Sequence, residues 1–374
     1  MKKNNKKTLL VVSADGNTIT NFRLDFLKSF IELGFRVIAI APEISSSELK
    51  KLDKNNISFI KLPFERKGSN PIELVSSCYK LYKKTIEISP DLIFSYNHKA
   101  VVLASIAGYF AGVKKIFCMI TGTGHIFHDN AFKHRVRRLL AIIIFKLALI
   151  RNKKVFFQNS DDVRLFKYYK LVKDTQVRII NGSGVNLDFF KETPLPEGLV
   201  FLTAARLIES KGLREFAEAY KEFSKDYPNS KAYIVGSEDK HDDSIPLNEI
   251  KEWNLKYGVE YLGFYKDIRQ AIDLCSVYVL LSYNEGTPRS VLEAMSMGRP
   301  ILTTDTSGCR ETVISGENGF LAKVKNIEDT KSKMEEFVNK EIRSKLGRKS
   351  KRICIEKYDV HKVNEVLLKE MNIL

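Results

Sequence analysis

The sequence predicts an α/β chain of two doubly wound, parallel-sheet domains facing each other across a cleft. Three observations predict it. The chain has 374 residues, more than one ordinary core fills, and suits two domains of about 150–200 residues each. Short β-branched runs alternate with helical stretches, the pattern of parallel strands covered by helices. A second such series begins at residue 199, after a stretch rich in proline and glycine.

The elements follow in order. Candidate strands in the first half are 8–12 (TLLVV), 36–41 (RVIAIA), 57–62 (ISFIKL), 91–95 (DLIFS), 115–120 (KIFCMI), 154–158 (KVFFQ) and 177–181 (VRIIN). Segments between them, such as 21–34 and 71–88, have helical length and apolar spacing. TPLPEG, residues 193–198, reads as a linker. The second series is LVFLTAA (199–205), KAYIVG (231–236), VEYLG (259–263), VYVLLS (277–282), PILTT (300–304) and GFLAK (319–323). Ligands of such sheets bind at the carboxyl ends of the strands.

Composition narrows the class. Hydrophobic residues make up 44% and charged residues 28%, as in a folded chain rather than a disordered one. The cysteines (Cys78, Cys118, Cys275, Cys309, Cys354) are scattered and form no C-x-x-C pair, so neither a zinc site nor a disulfide framework is expected. A reducing cytoplasm fits that usage. TLLVVSA after the basic start is too short for a signal sequence and reads as a first buried strand. LLAIIIFKLALI, residues 139–150, is broken by Lys146 and falls short of the roughly 20 residues that span a bilayer.

The net charge of +16 is unevenly placed. Residues 1–198 hold 33 Lys and Arg against 17 Asp and Glu; the remainder holds 28 against 28. Residues 92–160 carry eleven cations and one acid, Asp129. An anionic partner for the first domain is implied: nucleic acid, an anionic membrane face or a phosphorylated substrate. A basic, solvated surface is the plainer alternative.

The stretch SYNEGTPRSVLE, 282–293, carries the first chemical signal. A strand ends at Ser282 and a tight loop follows. Thr287 is expected as the N-cap and Pro288 as the first helical residue, with the helix running to about Met297 and Gly298 ending it. The N–H groups of Arg289, Ser290 and Val291 at a positive helix end suit a phosphate. Glu293, on the face of Arg289 and Ser290, would repel phosphate but can accept two hydrogen bonds from a ribose diol. Glu285, before the turn, would bind hydroxyls of whatever the phosphate carries. The same pattern also describes a capped helix with two surface glutamates.

TAARLIESKGL, 203–213, is the second signal. Arg206 and Lys211 follow a strand end and precede a helix. They suit a diphosphate clamp, a planar fork beside a point charge. No G-x-x-x-x-G-K-[ST] loop is present.

On these residues the chain resembles the retaining glycosyltransferases of family 4, which have the GT-B fold of two Rossmann-like domains. EGTPRSVLE matches the family's E-x7-E pattern at Glu285 and Glu293, and Arg206 and Lys211 match its R-x4-K pair. TSGCRETVISGENGFL (306–321) resembles the following loop and strand, and VEYLGFYKDIRQAIDLCSVYVLLS (259–282) the segment over the nucleotide base. In the first half, SADGNTITNFRLDFLKSFIELGFRV (13–37) is similar to the opening strand, glycine loop and helix. FERKGSNP (64–71) and SYNHKAVVLASIAGYFAGV (95–113) resemble a branch that builds bacterial surface polysaccharides and lipid-linked glycans.

The resemblance implies roles. Arg206 and Lys211 would neutralise the donor diphosphate in place of a metal, so no metal or other cofactor is expected. Glu293 would bind the ribose and Glu285 the donor sugar, helped by Gly286, Thr287, Pro288, Arg289, Ser290 and Val291. Gly16 and Asn17 would approach the donor phosphates, where a small residue leaves room. A catalytic histidine after the fifth strand is common in the family. The region here reads MITGTGHIFHDN, with His125 as the candidate and His128 beyond it; His98 is another. The domains implied are 1–192, completed by a helix over about 356–374, and 199–355.

The acceptor is expected at the basic first domain, with Arg66, His98, Lys99, Arg135, Arg137 and Arg138 as candidates. The segment 132–154 could lay one face on anionic lipid, or bury its apolar middle against the sheet. The expected activity is transfer of a hexose or N-acetylhexosamine from a UDP-sugar to an undecaprenyl-diphosphate-linked glycan. The enzyme would be cytoplasmic and peripheral on the inner membrane face. Two alternatives remain: a UDP-sugar 2-epimerase-type isomerase of the same fold, and a basic nucleic-acid binder, for which no aromatic-interleaved platform exists.

Overall fold

Runs of β-branched and aromatic residues without polar alternation form strands buried on both faces, as parallel sheets require. The thirteen runs read as strands are all strands in a computed structural model, which describes residues 6–64, 71–122, 132–239 and 243–374. The chain divides into two units, residues 1–183 with 363–374, and residues 184–362.

The first unit runs β1 (Thr8–Ser13), α1 (Asn17–Glu32), β2 (Arg36–Ala41), α2 (Ser46–Lys54), β3 (Ile57–Lys61), α3 (Pro71–Ile88) and β4 (Leu92–Tyr96). It continues with α4 (His98–Phe110), β5 (Lys115–Ile120), α5 (Phe132–Leu149), β6 (Lys154–Phe157), α6 (Ser160–Tyr168) and β7 (Val177–Ile179). Its sheet has the order β3-β2-β1-β4-β5-β6-β7, every pair parallel. Order reverses between β1 and β4, so right-handed crossovers place α1 and α2 on one face and α3 to α6 on the other. The cores agree. Leu9, Val11 and Phe94 pack with Phe26 of α1 and Leu52 of α2. Leu10, Val12 and Ile93 pack with Leu81 of α3 and Leu103 of α4.

The second unit runs β8 (Val200–Ala204), α7 (Leu213–Asp226), β9 (Lys231–Val235), α8 (Leu247–Tyr257), β10 (Val259–Tyr261), α9 (Ile268–Ile272) and β11 (Val277–Leu280). Then come α10 (Arg289–Ser296), β12 (Ile301–Thr304), β13 (Gly319–Ala322), α11 (Ile327–Glu335) and α12 (Lys340–Ile353). The order β10-β9-β8-β11-β12-β13 is again all parallel. The chain rejoins the first unit at Val363, inside α13 (Val360–Glu370), where Val363 and Leu367 enter the core with Leu9 and Phe26.

The TPLPEG stretch is fastened to the second unit. Arg299 is fully buried and donates to the Thr193 carbonyl at 2.8 Å and to Thr193 Oγ1 at 2.7 Å. Val185 and Phe190, ahead of it, are already core residues of that unit.

Order reverses in the second sheet between β8 and β11, the place where a doubly wound sheet opens a ligand crevice at its strand ends. Two glycines set how closely the loops there approach. Gly212 has φ +68°, and a Cβ on it would lie 2.2 Å from the Leu281 carbonyl. Gly308 has φ +75°, and its Cβ would lie 2.3 Å from the carbonyl oxygens of both Glu285 and Gly286. Gly316, with φ +81°, has open space around the same position. The contrast yields a test. Gly316→Ala should cost only the left-handed strain, about 1–2 kcal/mol. Gly308→Ala should cost that plus about 1–3 kcal/mol of overpacking against backbone that cannot rotate away. Urea midpoints of the two variants check it: equal losses would show that the 285–286 loop yields freely.

Candidate active site

The loops that follow β8 and β11 are joined by backbone groups. Tyr283 N donates to the Ser210 carbonyl at 3.0 Å, and Ser282 Oγ to the same oxygen at 3.1 Å. Glu285 N donates to the Ser307 carbonyl at 3.1 Å, and the hydroxyls of Thr304 and Thr306 reach the Ser282 carbonyl. Three loops thus hold residues 282–286 at the carboxyl edge of the sheet.

On this frame Lys211 and Glu285 meet. The Lys211 ammonium donates to Glu285 Oε1, and both side chains are only 17% exposed. A half-buried carboxylate would be costly without its partner. Arg206, on the same β8–α7 loop, is exposed and donates instead from Nη1 to Asp239 Oδ2, in the loop after β9.

Glu285 leads into α10, whose cap differs from the expectation. Pro288, at φ −70° and ψ 108°, is the N-cap, and the helix starts at Arg289. Thr287 therefore precedes the cap, and Pro288 is not the first helical residue. The reason is the extended ψ of Pro288, which lets its carbonyl accept from Val291 N at 3.1 Å and open the first turn. The first turn of a helix offers N–H groups that no helical carbonyl reaches. The helix ends as expected, with Gly298 left-handed at φ +80°.

Arg289 and Glu293 form the predicted i,i+4 pair, Nε to Oε1 at 3.1 Å, with 15% and 14% of their side chains exposed. Burial pushes the Glu293 carboxyl above the usual glutamate range, and the Arg289 guanidinium only partly offsets it. Beneath them, buried Tyr278 donates to the Ala204 carbonyl at 3.0 Å. Its hydroxyl is also hydrogen-bonded to Ser290, which ties β11, the end of β8 and α10 together.

The candidates of the first unit form a separate cluster. At the β1–β4 reversal, the hydroxyls of Ser13, Thr18 and Tyr96 and the amide of Asn97 are linked at 3.0–3.1 Å. Gly16 sits beside them, and the close approach there is by the chain itself: a Cβ would lie 2.5 Å from the Glu43 carbonyl and 2.7 Å from Ile44 Cβ. Asn17 Oδ1 accepts from Ser45 N at 2.9 Å. Partly buried His98 holds the Gly122 carbonyl through Nε2 and lies edge-on to Phe145. Burial lowers its pKa, so the ring is neutral at pH 7. Lys99 reaches Glu73 at 3.4 Å. Arg138 is partly exposed on α5. Arg135 and Arg137 lie in the opening turns of α5, and their side chains are outside what the structure describes, as are residues Arg66, His125 and His128 altogether.

Sequence reasoning missed Asp239, Tyr278 and Gly308. Asp239 is one acid in an acidic loop, and no spacing links it to Arg206. Tyr278 reads as an ordinary strand residue. Gly308 sat in the quoted 306–321 motif, but only its φ and its neighbours reveal its use.

Comparison with known proteins places this geometry. The family model "Glycosyl transferases group 1" matches residues 186–353, within the second unit. An N,N'-diacetylbacillosaminyl-diphospho-undecaprenol alpha-1,3-N-acetylgalactosaminyltransferase of Campylobacter jejuni is 27% identical over 86% of this chain and 87% of its own. A UDP-Gal:alpha-D-GlcNAc-diphosphoundecaprenol alpha-1,3-galactosyltransferase of Escherichia coli is also 27% identical, over 72% of this chain and 73% of its own. The crystal structure of Anabaena Alr3699/HepE in complex with UDP superposes with a TM-score of 0.79 at 18% identity, covering 98% of this chain and 100% of that one, and so shares its fold. With two all-parallel sheets, the matched second unit and these bacterial relatives, the chain is a glycosyltransferase of GT-B fold, similar to those of family 4.

Proposed function

We propose that the chain is a retaining glycosyltransferase that moves a hexose or N-acetylhexosamine from a UDP-sugar to an undecaprenyl-diphosphate-linked glycan at the inner face of the cell membrane. One observation carries the reading: the Lys211 ammonium stands against Glu285 at the β8–β11 reversal, just ahead of the first turn of α10. Cation, hydroxyl acceptor and helix N-terminus are the three groups a sugar diphosphate requires, and they occur in the order diphosphate, sugar, backbone donors. The two relatives with diphospho-undecaprenol in their names support the acceptor class.

In this reading the bond from the anomeric carbon to the diphosphate breaks as the acceptor hydroxyl oxygen bonds to that carbon on the same face, and the hydroxyl proton passes to the departing diphosphate oxygen. Negative charge grows on the departing UDP, and Lys211 and Arg206 stabilise it from fixed positions, without a metal. Lys211 exchanges part of its contact with Glu285 for the diphosphate, and Glu285 turns its freed oxygen to the sugar hydroxyls. Glu293 accepts from the ribose, and the N–H groups of Arg289 and Ser290 face phosphate oxygens, while that of Val291 is taken by the Pro288 carbonyl. No helix among the described residues is long and apolar enough to cross a membrane, so the acceptor would be met by an enzyme resting on the surface.

UDP release from a panel of UDP-sugars, with and without a lipid-diphosphate glycan, tests the activity. One donor should be turned over only with acceptor, giving a product of unchanged anomeric configuration by NMR. Conversion of a UDP-sugar to its epimer with no acceptor would replace this reading. Lys211→Ala and Arg206→Ala should each lower kcat about a hundredfold or more, the scale of a lost preorganised charge contact. Near-wild-type kcat in both would remove them from the chemistry.

Glu293 gives a pH test. Its carboxyl takes up a proton at higher pH than a free glutamate, and the protonated form can no longer accept two hydrogen bonds from the diol. UDP-sugar affinity should therefore weaken as pH falls from neutrality toward the ordinary glutamate range, and Glu293→Gln should bind weakly at every pH. Calorimetric titration of the donor checks both. A pH slope that persists in Glu293→Gln would assign it to another group.

A further inference from the structure

The outward face of the layer α3–α4–α5 in the first unit is unlike the rest of that unit. Among the described residues, ten large apolar side chains are exposed on these three helices, against two, Phe22 and Val366, on α1, α2 and α13 of the opposite layer. They fall in helical stripes. On α5, Leu139, Ile143 and Leu147 are 58%, 47% and 65% exposed and lie four residues apart, while Phe145, Ala148 and Leu149 face inward. On α3, Val75, Tyr79 and Ile86 share one outward face, and Val75 is 68% exposed. Between them, α4 packs on both neighbours and exposes Tyr109 and Phe110 at its end.

The charged groups of this face are mostly basic. Lys80, Lys83, Lys146 and Arg151 are exposed. Lys83 lies over the Tyr79 ring at 4.7 Å and Arg151 over the Tyr109 ring at 5.2 Å. Residues 92–160 contain a single acid, and the acids of α3 are engaged: Glu73 with Lys99 and Glu87 with Lys84. Apolar side chains interleaved with cations and tyrosines match the boundary between acyl chains and headgroups, where long basic side chains reach outward to phosphates. A second copy of the chain fits poorly. A two-fold interface sets the same patch against itself, and here it would bring lysines and arginines together as they lose water.

We propose that the α3–α5 face is a lipid-docking surface, with its apolar stripes entering the headgroup boundary and its cations engaging anionic headgroups. This deepens the lipid-linked acceptor reading and rests on it for the reason the surface exists. The residues concerned are separate from the donor groups of the second unit, so the two ideas fail separately.

Flotation of the full chain with vesicles tests it. The protein should float with phosphatidylglycerol–phosphatidylcholine vesicles and far less with phosphatidylcholine alone. Ile143→Glu with Leu147→Glu, and separately Val75→Glu, should each reduce partitioning about tenfold or more, since each sets a charge where a stripe enters the lipid. Lys146→Glu with Arg151→Glu should remove the salt-sensitive part of binding and leave a salt-insensitive remainder. Phe22→Glu, on the opposite layer, should bind as wild type. All these sites are exposed, so melting curves should stay close to wild type. If the α5 pair failed to fold, Val75→Glu and the charge pair would still decide. Wild-type protein that never floats, face variants that float equally, or a dimer dissolved by the same variants would overturn the proposal. UDP-sugar turnover, measured in parallel, reads the catalytic proposal alone. Loss of flotation with turnover intact sinks only the docking surface; flotation without turnover sinks only the activity.

Discussion

The close packing of backbone on backbone at the β8–β11 reversal is the constraint on which the site depends. Gly212 lies against the Leu281 carbonyl, and Gly308 against the carbonyls of Glu285 and Gly286. No side chain fits in either gap, so the loops cannot be moved apart or together without breaking the hydrogen bonds of Tyr283 and Glu285. A carboxylate on a loop is usually only as well placed as the loop is stiff. Here the loop carrying Glu285 is held on one side by Ser210 and on the other by Ser307, and its Lys211 partner comes from the segment that supplies Ser210. Position and pairing are settled by the same contacts.

The ion pairs within this frame bear on how the site handles an anion. Lys211 is matched with Glu285, Arg289 with Glu293 and Arg206 with Asp239. Pairs of this kind contribute little net stability, because desolvation opposes the Coulomb attraction. What they do supply is order, since both partners are held where a ligand will need them. A diphosphate would compete with Glu285 for Lys211, and that competition leaves a carboxylate ready to accept from a sugar. At Glu293 desolvation outweighs its arginine and raises its pKa.

Much of the fold was legible because parallel strands carry their signal in uninterrupted β-branched runs, as in LLVV and VIAIA. The motif residues were legible because Arg206, Lys211, Glu285 and Glu293 occupy short, fixed spacings. The cap of α10 was misread for a local reason. TP in a sequence suits Thr as cap and Pro as first helical residue, but the extended ψ of Pro288 moves the start one residue on. Gly308 and Asp239 were invisible as functional positions because their importance lies in contacts with residues 22–33 positions away. The α5 segment left two options open, burial or lipid contact, since nearly every residue of LLAIIIFKLAL is apolar and nothing in the pattern marks an inward face. The structure buries Phe145, Ala148 and Leu149 and leaves Leu139, Ile143 and Leu147 exposed, so one side of the helix is core and lipid contact by the other is the proposal made above.

The two units differ in charge for a physical reason that follows from their surfaces. The second half of the chain is neutral, yet it holds the groups best suited to a diphosphate. On the proposed reading, recognition there would rely on a few placed contacts, and a large positive field would add affinity for any anion without telling one from another. The first half carries the whole excess of +16, spread over helices whose exposed faces are also apolar. A surface that must meet many identical anionic headgroups gains from a diffuse field, which acts over about a Debye length and does not depend on the position of any one group. On the proposed reading, local pairing in one half and broad positive charge in the other would be two answers to two kinds of anion: one bound singly and in a fixed pose, the other met as a sheet.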